Sequence, residues 1–322
     1  MMRRIGILRG GVSPEYHISL KTGANVQRAL EDAGFEAVDM LLDKEGVLHI
    51  KGIPADLEKA QASVDAIWNA LHGQFGEDGS VQELLDNFGI PYTGSGRLTS
   101  AMAFHKEKAK EHARALGLNV PPHLLVLPDE GASVSQIAGN IYRTMAPPWV
   151  VKPLLGGGSV QTYFAFTPLE LAEAVEKCLT AGSPFLTEQY IYGKEAAVGV
   201  IDRFRNQDKY TLPAVEVVSG ARGVLSHDAR TSGEPYVREG RPFRPQEREQ
   251  LGLAAQQLHQ SLGARGYSQS EFVVDRNGKV WFIEFDTHPH LHDEAPFLEA
   301  LRSVGATLAE FVQSVIGGLQ KK

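Results

Sequence analysis

The stretch from Gln269 to Thr287, QSEFVVDRNGKVWFIEFDT, constrains the chain more than any other. Two β-rich runs flank Asn277-Gly278, the strongest short-range signal for a hairpin. With Asn277 and Gly278 at the centre of a type I′ turn, Arg276 pairs with Lys279. Counting back along both strands then sets Glu271 opposite Glu284 and Gln269 opposite Asp286. Side chains alternate along a strand, so these four point from one face, while Phe272, Val274, Trp281, Ile283 and Phe285 point from the other. Like charges directly opposite on paired strands repel unless a cation lies between them. A lone glutamate on a strand is ordinarily a solvated side chain, but Glu271, Glu284 and Asp286 together, backed by an apolar face, form an oxygen-only donor set. Such a set suits magnesium, which binds through a few carboxylates and substrate phosphates, and so points to nucleotide chemistry.

A chain of 322 residues has room for two or three core-bearing lobes. Its net charge of -7 argues against a nucleic-acid partner, which calls for a basic surface. The single cysteine, Cys178, rules out an internal disulfide framework and fits a reducing, cytoplasmic setting. Its helical spacing from Leu171 and Val175 makes it a core residue rather than a catalyst. No run approaches the roughly 20 apolar residues of a membrane helix, and Arg3-Arg4 precede a short strand, not a signal-peptide core.

The chain opens with a strand over Ile5–Leu8, glycines at 10 and 11, and a helical pattern from Ser19 to Leu30, the start of an α/β lobe. A buried strand over Ala66–Leu71 leads into HGQFGEDG, a helix follows from Val81 to Phe88, and Ile90–Thr93 reads as another strand. Gly94-Ser95-Gly96 lacks the third glycine of a dinucleotide fingerprint. Thr99 is placed to cap a helix running to Leu116, and Val120-Pro121-Pro122 to link to a new lobe. Trp149–Lys152 is a strand that ends in lysine. The loop LLGGGS and a returning strand over Val160–Phe166 follow, an arrangement in which backbone N–H groups can approach a phosphate. Thr167-Pro168-Leu169-Glu170 is a capping box with proline at the first helical position. Phe185–Ile191, Ala196–Ile201 and Val215–Val218 read as strands, and a helix over Leu251–Leu262 closes at Gly263. Ser219–Pro245, polar and rich in glycine and arginine, has the composition of a lid or binding loop.

Taken together, GGVSPEYHIS from Gly10, LHGQFGEDGSVQ from Leu71, PYTGSG from Pro91, the helix around Lys106, VKP from Val151, TEQYIYGKE from Thr187 and EFDTHP from Glu284 resemble the D-alanine–D-alanine ligases of the ATP-grasp superfamily. The resemblance covers nearly the whole chain. It implies an α/β (α+β), three-lobed architecture: an N-terminal α/β lobe over 1–96, a central ATP-grasp lobe over 97–186, and a C-terminal lobe over 187–322 that carries the metal carboxylates. It further implies that Glu15 holds the amino group of the first D-alanine and that His72 lies beside the substrates. Lys106 and Lys152 would bind ATP phosphates, with Ser159 in the phosphate loop. Glu188, Gln189, Tyr190 and Ile191 would lie along the adenine, and Glu195 would bind the ribose. Glu271, Glu284 and Asp286 would hold two Mg2+ ions, or Mn2+. The reaction implied is phosphorylation of one substrate carboxylate and attack on the acyl phosphate by the amine of a second, for peptidoglycan precursors. A homodimer is compatible with it.

This chain also departs from the family. Arginine usually stands where Gln269 does, and it helps stabilise the oxyanion. Paired serine and tyrosine positions fall on Gly158 and Thr231, a glycine is replaced by His290, and a carboxylate-binding serine by Ala295. The nucleotide and metal residues are retained while the acceptor side is altered, which keeps a ligase with a different second substrate in view. A non-catalytic nucleotide-binding relative is the third reading, opposed by the retained lysines and carboxylates. The alternation of His288, His290 and His292 suggests a transition-metal site, but Pro289 interrupts them and a substrate-facing loop is the better reading.

Overall fold

The computed structural model describes residues 3–128, 132–157, 161–218, 237–238 and 243–319. Its N-terminal sheet is built from β1 (Arg4–Gly10), β2 (Glu36–Leu42), β3 (Leu48–Ile50), β4 (Ile53–Pro54) and β5 (Ala66–Asn69) in the order β4-β3-β2-β1-β5. β1 runs parallel to both β2 and β5, and α1 (Tyr16–Asp32) makes the crossover from β1 to β2. Ile5 and Ile7 on β1 pack with Val26 and Leu30 on α1, all fully buried, so each element covers the apolar face of the other. α2 (Leu57–Ser63) and α3 (Ser80–Asn87) complete this lobe. The strand expected over Ile90–Thr93 reduces to one bridge between Tyr92 and Ile67.

The helix expected from Thr99 to Leu116 is two helices, α4 (Arg97–Phe104) and α5 (Lys106–Ala115), broken at His105. Thr99 caps neither; its hydroxyl donates to the Leu262 carbonyl at 2.9 Å. The break has a cause and a use. His105 is extended and bridges Leu155, and the Lys106 N–H donates to the Leu154 carbonyl at 3.1 Å, which sets the first residue of α5 beside the glycine loop.

The central sheet is antiparallel, in the order β6-β9-β7-β8: β6 (His123–Val126), β7 (Trp149–Pro153), β8 (Tyr163–Ala165) and β9 (Phe185–Gln189). α6 (Val134–Thr144) and α7 (Pro168–Thr180) cover it, α7 starting at the expected Thr167 capping box. Cys178 is buried in this core beside Leu171 and Val175, as its spacing implies. β9 ends at Gln189 rather than Ile191, and it pairs with β6 and β7. The expected boundary at 187 therefore falls inside a strand of the central sheet.

The third sheet, in the order β13-β12-β10-β14-β15 with β11 also on β10, comprises β10 (Gly193–Phe204), β11 (Gln207–Thr211), β12 (Val215–Val217), β13 (Val237–Arg238), β14 (Tyr267–Asp275) and β15 (Val280–Asp286). α8 (Pro245–Ser261), α9 (Pro296–Ser303) and α10 (Leu308–Leu319) pack against it. Glu271 does pair with Glu284, and Gln269 with Asp286. The turn that leads there differs from expectation. Asp275 closes it, its N–H donating to the Lys279 carbonyl at 3.0 Å and its side chain accepting from the N–H groups of Asn277 and Lys279. Gly278 alone is left-handed, at φ 81. Near the turn Val274 therefore pairs with Val280 and Phe272 with Phe282, and a register shift between Glu271 and Phe272 restores the carboxylate pairing. A bulge of one residue also flips alternation. Phe282, not Trp281 or Ile283, joins Phe272, Val274 and Phe285 in the core.

One buried cluster joins the N-terminal and C-terminal lobes: Trp68 stacks on Tyr267 at 5.8 Å between ring centres and meets Phe311 edge-on at 5.9 Å. The central sheet keeps a core of its own. The Ser219–Pro245 lid expectation falls for the most part outside the described residues, as do Gly158, Ser159 and Thr231.

Candidate active site

One wall of the cleft comes from the central sheet. Lys152 on β7 lies opposite Leu186, so Glu188, two residues further along β9, projects from the same face. Their side chains meet, with Lys152 Nζ 3.0 Å from Glu188 Oε1. Lys110 of α5 reaches the same oxygen at 3.1 Å and donates to the Ile283 carbonyl at 3.0 Å. Burial alone would raise the Glu188 carboxyl, but Lys110 and Lys152 outweigh it and hold it at about 2. Burial lowers Lys110 to about 8 against the pull of Glu188. Lys106, one helical turn before Lys110, donates from Nζ to the Gly156 carbonyl. Its own pKa is lowered, mainly by burial.

Lys110 was not singled out in the sequence. The signal was present: Lys106 and Lys110 are four apart and share a helix face, while Lys108 between them is exposed on Glu111. Gln189, Tyr190 and Ile191 line the same cavity as Lys106, Lys152 and Glu188. The Tyr190 ring meets Phe164 edge-on at 6.1 Å, and Glu195, opposite Val273 in the sheet, completes the lining.

The hairpin supplies the facing wall, with Glu271 and Glu284 bordering this cavity and the one beyond it. Asp286 accepts the His288 N–H at 2.7 Å. Desolvation raises the Asp286 carboxyl well above its ordinary value, and Glu77, Glu284 and Glu271 push it further. Glu77, buried in the GEDG segment, is raised likewise by desolvation and then by Glu15. Among the described residues no three His, Cys, Asp or Glu side chains close into a metal cage. The donor set nonetheless fits magnesium, which takes a few carboxylates and completes its shell with water and phosphate oxygens. The repulsion that raises Asp286 is what a cation there would relieve.

Glu15 and His72 come together at the far end. His72 is held between Glu77, at 3.1 Å from Nδ1, and the Thr22 hydroxyl, at 3.0 Å from Nε2. Burial drives its pKa down to about 4, leaving a neutral imidazole. The His290 ring lies 4.4 Å from that of His72, and its Nε2 is 3.3 Å from Glu15 Oε1. The alternating histidines do not converge on a metal: His288 meets Thr287, His290 meets Glu15, and His292 meets Glu294. Gln269 is buried on β14 beside Asp286, and its amide oxygen has no hydrogen-bond partner among the described residues. Glu77 and Thr22 are further residues that sequence reasoning passed over, Thr22 because nothing in its local pattern sets it apart from a helix residue.

This geometry can hold a polyphosphate between the lysines and the hairpin carboxylates and an amino-acid-sized ligand beyond it. Two family models match the chain, D-ala D-ala ligase C-terminus over residues 113–317 and D-ala D-ala ligase N-terminus over 48–95. A D-alanine–D-alanine ligase of Geotalea uraniireducens is 33% identical over 332 residues, covering 99% of this chain and 96% of its own. One of Carboxydothermus hydrogenoformans is 30% identical, with 97% of each chain covered. Among solved structures, D-alanyl-alanine synthetase A of Vibrio cholerae superposes with a TM-score of 0.83 at 24% identity over 99% of both chains. A Bacillus anthracis D-alanine–D-alanine ligase complexed with ATP gives 0.79 at 24% identity, over 99% of this chain and 98% of that one. A D-Ala:D-Ser ligase of Enterococcus faecalis gives 0.82 at 20% identity, over 99% and 100%.

Proposed function

Because the chain belongs to the D-alanine–D-alanine ligase family, we propose that its cleft is the active site of an ATP-dependent ligase that joins two D-alanines for peptidoglycan precursors. One observation carries the reading: Lys106, Lys152 and Glu188 share a cavity with Glu271 and Glu284 of the hairpin, and the adjoining cavity, bordered by the same two carboxylates, is lined by Glu15 and Asp286. ATP would lie along β9, its adenine beside Gln189, Tyr190 and Ile191, its ribose at Glu195 and its phosphates at Lys106 and Lys152. By the family resemblance Ser159 would belong to the phosphate loop and Gly158 would stand near the substrates, both outside the described residues. Glu271, Glu284 and Asp286 are the residues that would hold magnesium, which neutralises phosphate charge when bound.

The carboxylate of the first D-alanine takes the γ-phosphoryl group, releasing ADP and forming an acyl phosphate. The amine of the second attacks the carbonyl carbon; a C–N bond forms, and phosphate departs with the electrons of the broken C–O bond. Glu15 offers its carboxylate to the first substrate's ammonium group, and the neutral His72 fixes that end of the pocket through Thr22 and Glu77. Most of the rate enhancement in such a site comes from positioning and charge stabilisation. Lys106 and Lys152 contribute the charge, and their burial strengthens its attraction to phosphate oxygens. A reaction that consumes ATP suits a cytoplasmic setting.

Phosphate release from Mg-ATP on addition of D-alanine, with mass detection of D-alanyl-D-alanine, tests this. Release that no added amino acid stimulates would reduce the chain to a nucleotide binder.

A further inference from the structure

An amino acid reaches the cleft as an ammonium ion, and its nitrogen can attack only after losing a proton, so the joining step calls for a base beside the acceptor. Among the described residues that line the cavity beyond the hairpin, Glu15 is held for the first substrate, Lys106 for the phosphates and the three hairpin carboxylates for magnesium, while His290 is turned to Glu15. Glu77 is the lining carboxylate that remains. Its side chain is 10% exposed, and its two oxygens are differently engaged. An ionised Glu77 only accepts, so the neutral His72 carries its hydrogen on Nδ1 and gives it to Oε1 at 3.1 Å. His72 Nε2 then takes the hydrogen of the Thr22 hydroxyl at 3.0 Å, and that hydroxyl in turn accepts the Leu291 N–H at 3.3 Å. Oε2 is turned to the glycine loop: a Cβ at Gly157, which lines the same cavity, would stand 3.4 Å from Glu77 Oε2 and 3.6 Å from Glu15 Oε2. Nitrogens held by the two carboxylates would therefore be neighbours. Desolvation, and then Glu15, raise the Glu77 carboxyl well above its ordinary value, which makes it a stronger base than an exposed carboxylate, and ammonium groups arriving beside it favour its ionised form.

We propose that Glu77 is the general base of the joining step, its Oε2 taking a proton from the acceptor's ammonium group before the nitrogen attacks. The inference rests on the ligase reading above. The nitrogen loses two protons in becoming an amide. The first passes to Oε2, and the electron pair of the broken N–H bond becomes the lone pair that forms the C–N bond. The second leaves with the departing phosphate, which also takes the C–O electron pair. Glu77 then returns its proton to solvent. His72 and Thr22, which hold Oε1, are positioning residues.

Hydroxylamine separates this role from a structural one, because it arrives as a neutral nucleophile and captures an acyl phosphate without a base. Parent and Glu77→Gln are given Mg-ATP and D-alanine. The D-alanyl-D-alanine formed is compared with the D-alanyl hydroxamate formed when saturating hydroxylamine is added, both quantified by mass. In Glu77→Gln the dipeptide rate should fall by about a hundredfold or more, the usual contribution of a general base, while the hydroxamate rate stays close to that of the parent. Where that variant does not fold, Glu77→Asp, whose carboxylate is drawn back by one methylene, should lower the dipeptide-to-hydroxamate ratio by about tenfold or more. Loss of both products together, or a ratio that stays at the parent's value, overturns the inference and leaves the ligase reading standing. Absence of any D-alanine-dependent phosphate release from the parent overturns both.

Discussion

His259, Asp202 and Ser268 hold the relation that marks many hydrolases, with the imidazole 2.9 Å from the aspartate and 2.7 Å from the serine hydroxyl. Here it is structural: His259 and Ser268 are buried at 0% and 1% exposure, so no substrate reaches the hydroxyl. Asp202 also accepts the Gly266 N–H at 2.7 Å and pairs with Lys209 at 3.1 Å. Desolvation would raise Asp202, but the histidine, the Gly266 N–H and Lys209 hold it at about 2, against 3.8 for the free group. A carboxyl depressed in the folded state lends stability that is full above its unfolded pKa and is lost as pH falls through the folded one. The parent should therefore lose denaturant stability between about pH 4 and pH 2, and Asp202→Asn should show a flatter profile there. Equal slopes in the two proteins would refute the assignment. The Lys110–Glu188–Lys152 bridge obeys a different balance, since removing one partner from a buried ionic group typically costs about 3–5 kcal/mol. Glu188→Gln leaves two lysines facing each other and should destabilise more than Lys110→Met, which leaves a neutral pair. Urea unfolding of both, and of the double variant, checks the order; a double variant as unstable as the two losses summed would show that the groups do not interact.

At the scale of the element, the hairpin brings the carboxylates together at a cost to itself. Glu271 and Glu284 are directly opposed, and such pairs destabilise a strand pairing. Glu284→Gln should therefore leave the metal-free melting temperature unchanged or higher, while the rise produced by Mg-ATP shrinks. A metal-free variant that melts far below the parent would mean that Glu284 is structural. This hairpin also shows what the sequence makes legible. Asn277-Gly278 and two apolar runs announce a turn between paired strands, and the functional pairing followed from a count. The count succeeded for a reason it did not contain: the Asp275 side chain builds a longer turn, and the bulge beyond Phe272 returns the register. Long-range partners such as Leu155 for His105 cannot be read from a local pattern, so the helix break that delivers Lys106 went unseen. The capping box at Thr167 was read correctly because all its partners lie within four residues.

Over the whole molecule, the N-terminal and C-terminal lobes share a core through Trp68, Tyr267 and Phe311, whereas the central sheet packs on its own. A unit with a separate core opens at a lower free energy than the body it rests on. What ties the central sheet to the rest near the cleft is polar: Lys110 spans from Glu188 to the Ile283 carbonyl, and Lys106 reaches Gly156. Nucleotide bound between lysines on one side and hairpin carboxylates on the other would bridge the two bodies, and a ligand present at about 100 times its Kd adds about 2.7 kcal/mol to the state that binds it. Amide hydrogen exchange should accordingly be faster over residues 123–189 than over β1, β5 and β14, and Mg-ATP should slow it there selectively. Lys152→Ala provides the control. Glu188 keeps Lys110 in that variant, so the central sheet should still fold, yet at a matched nucleotide concentration the protection should be lost, because a point charge on a phosphate in a closed site is a strong contact. Protection by Mg-ATP as large in Lys152→Ala as in the parent would place the phosphates elsewhere in the cleft.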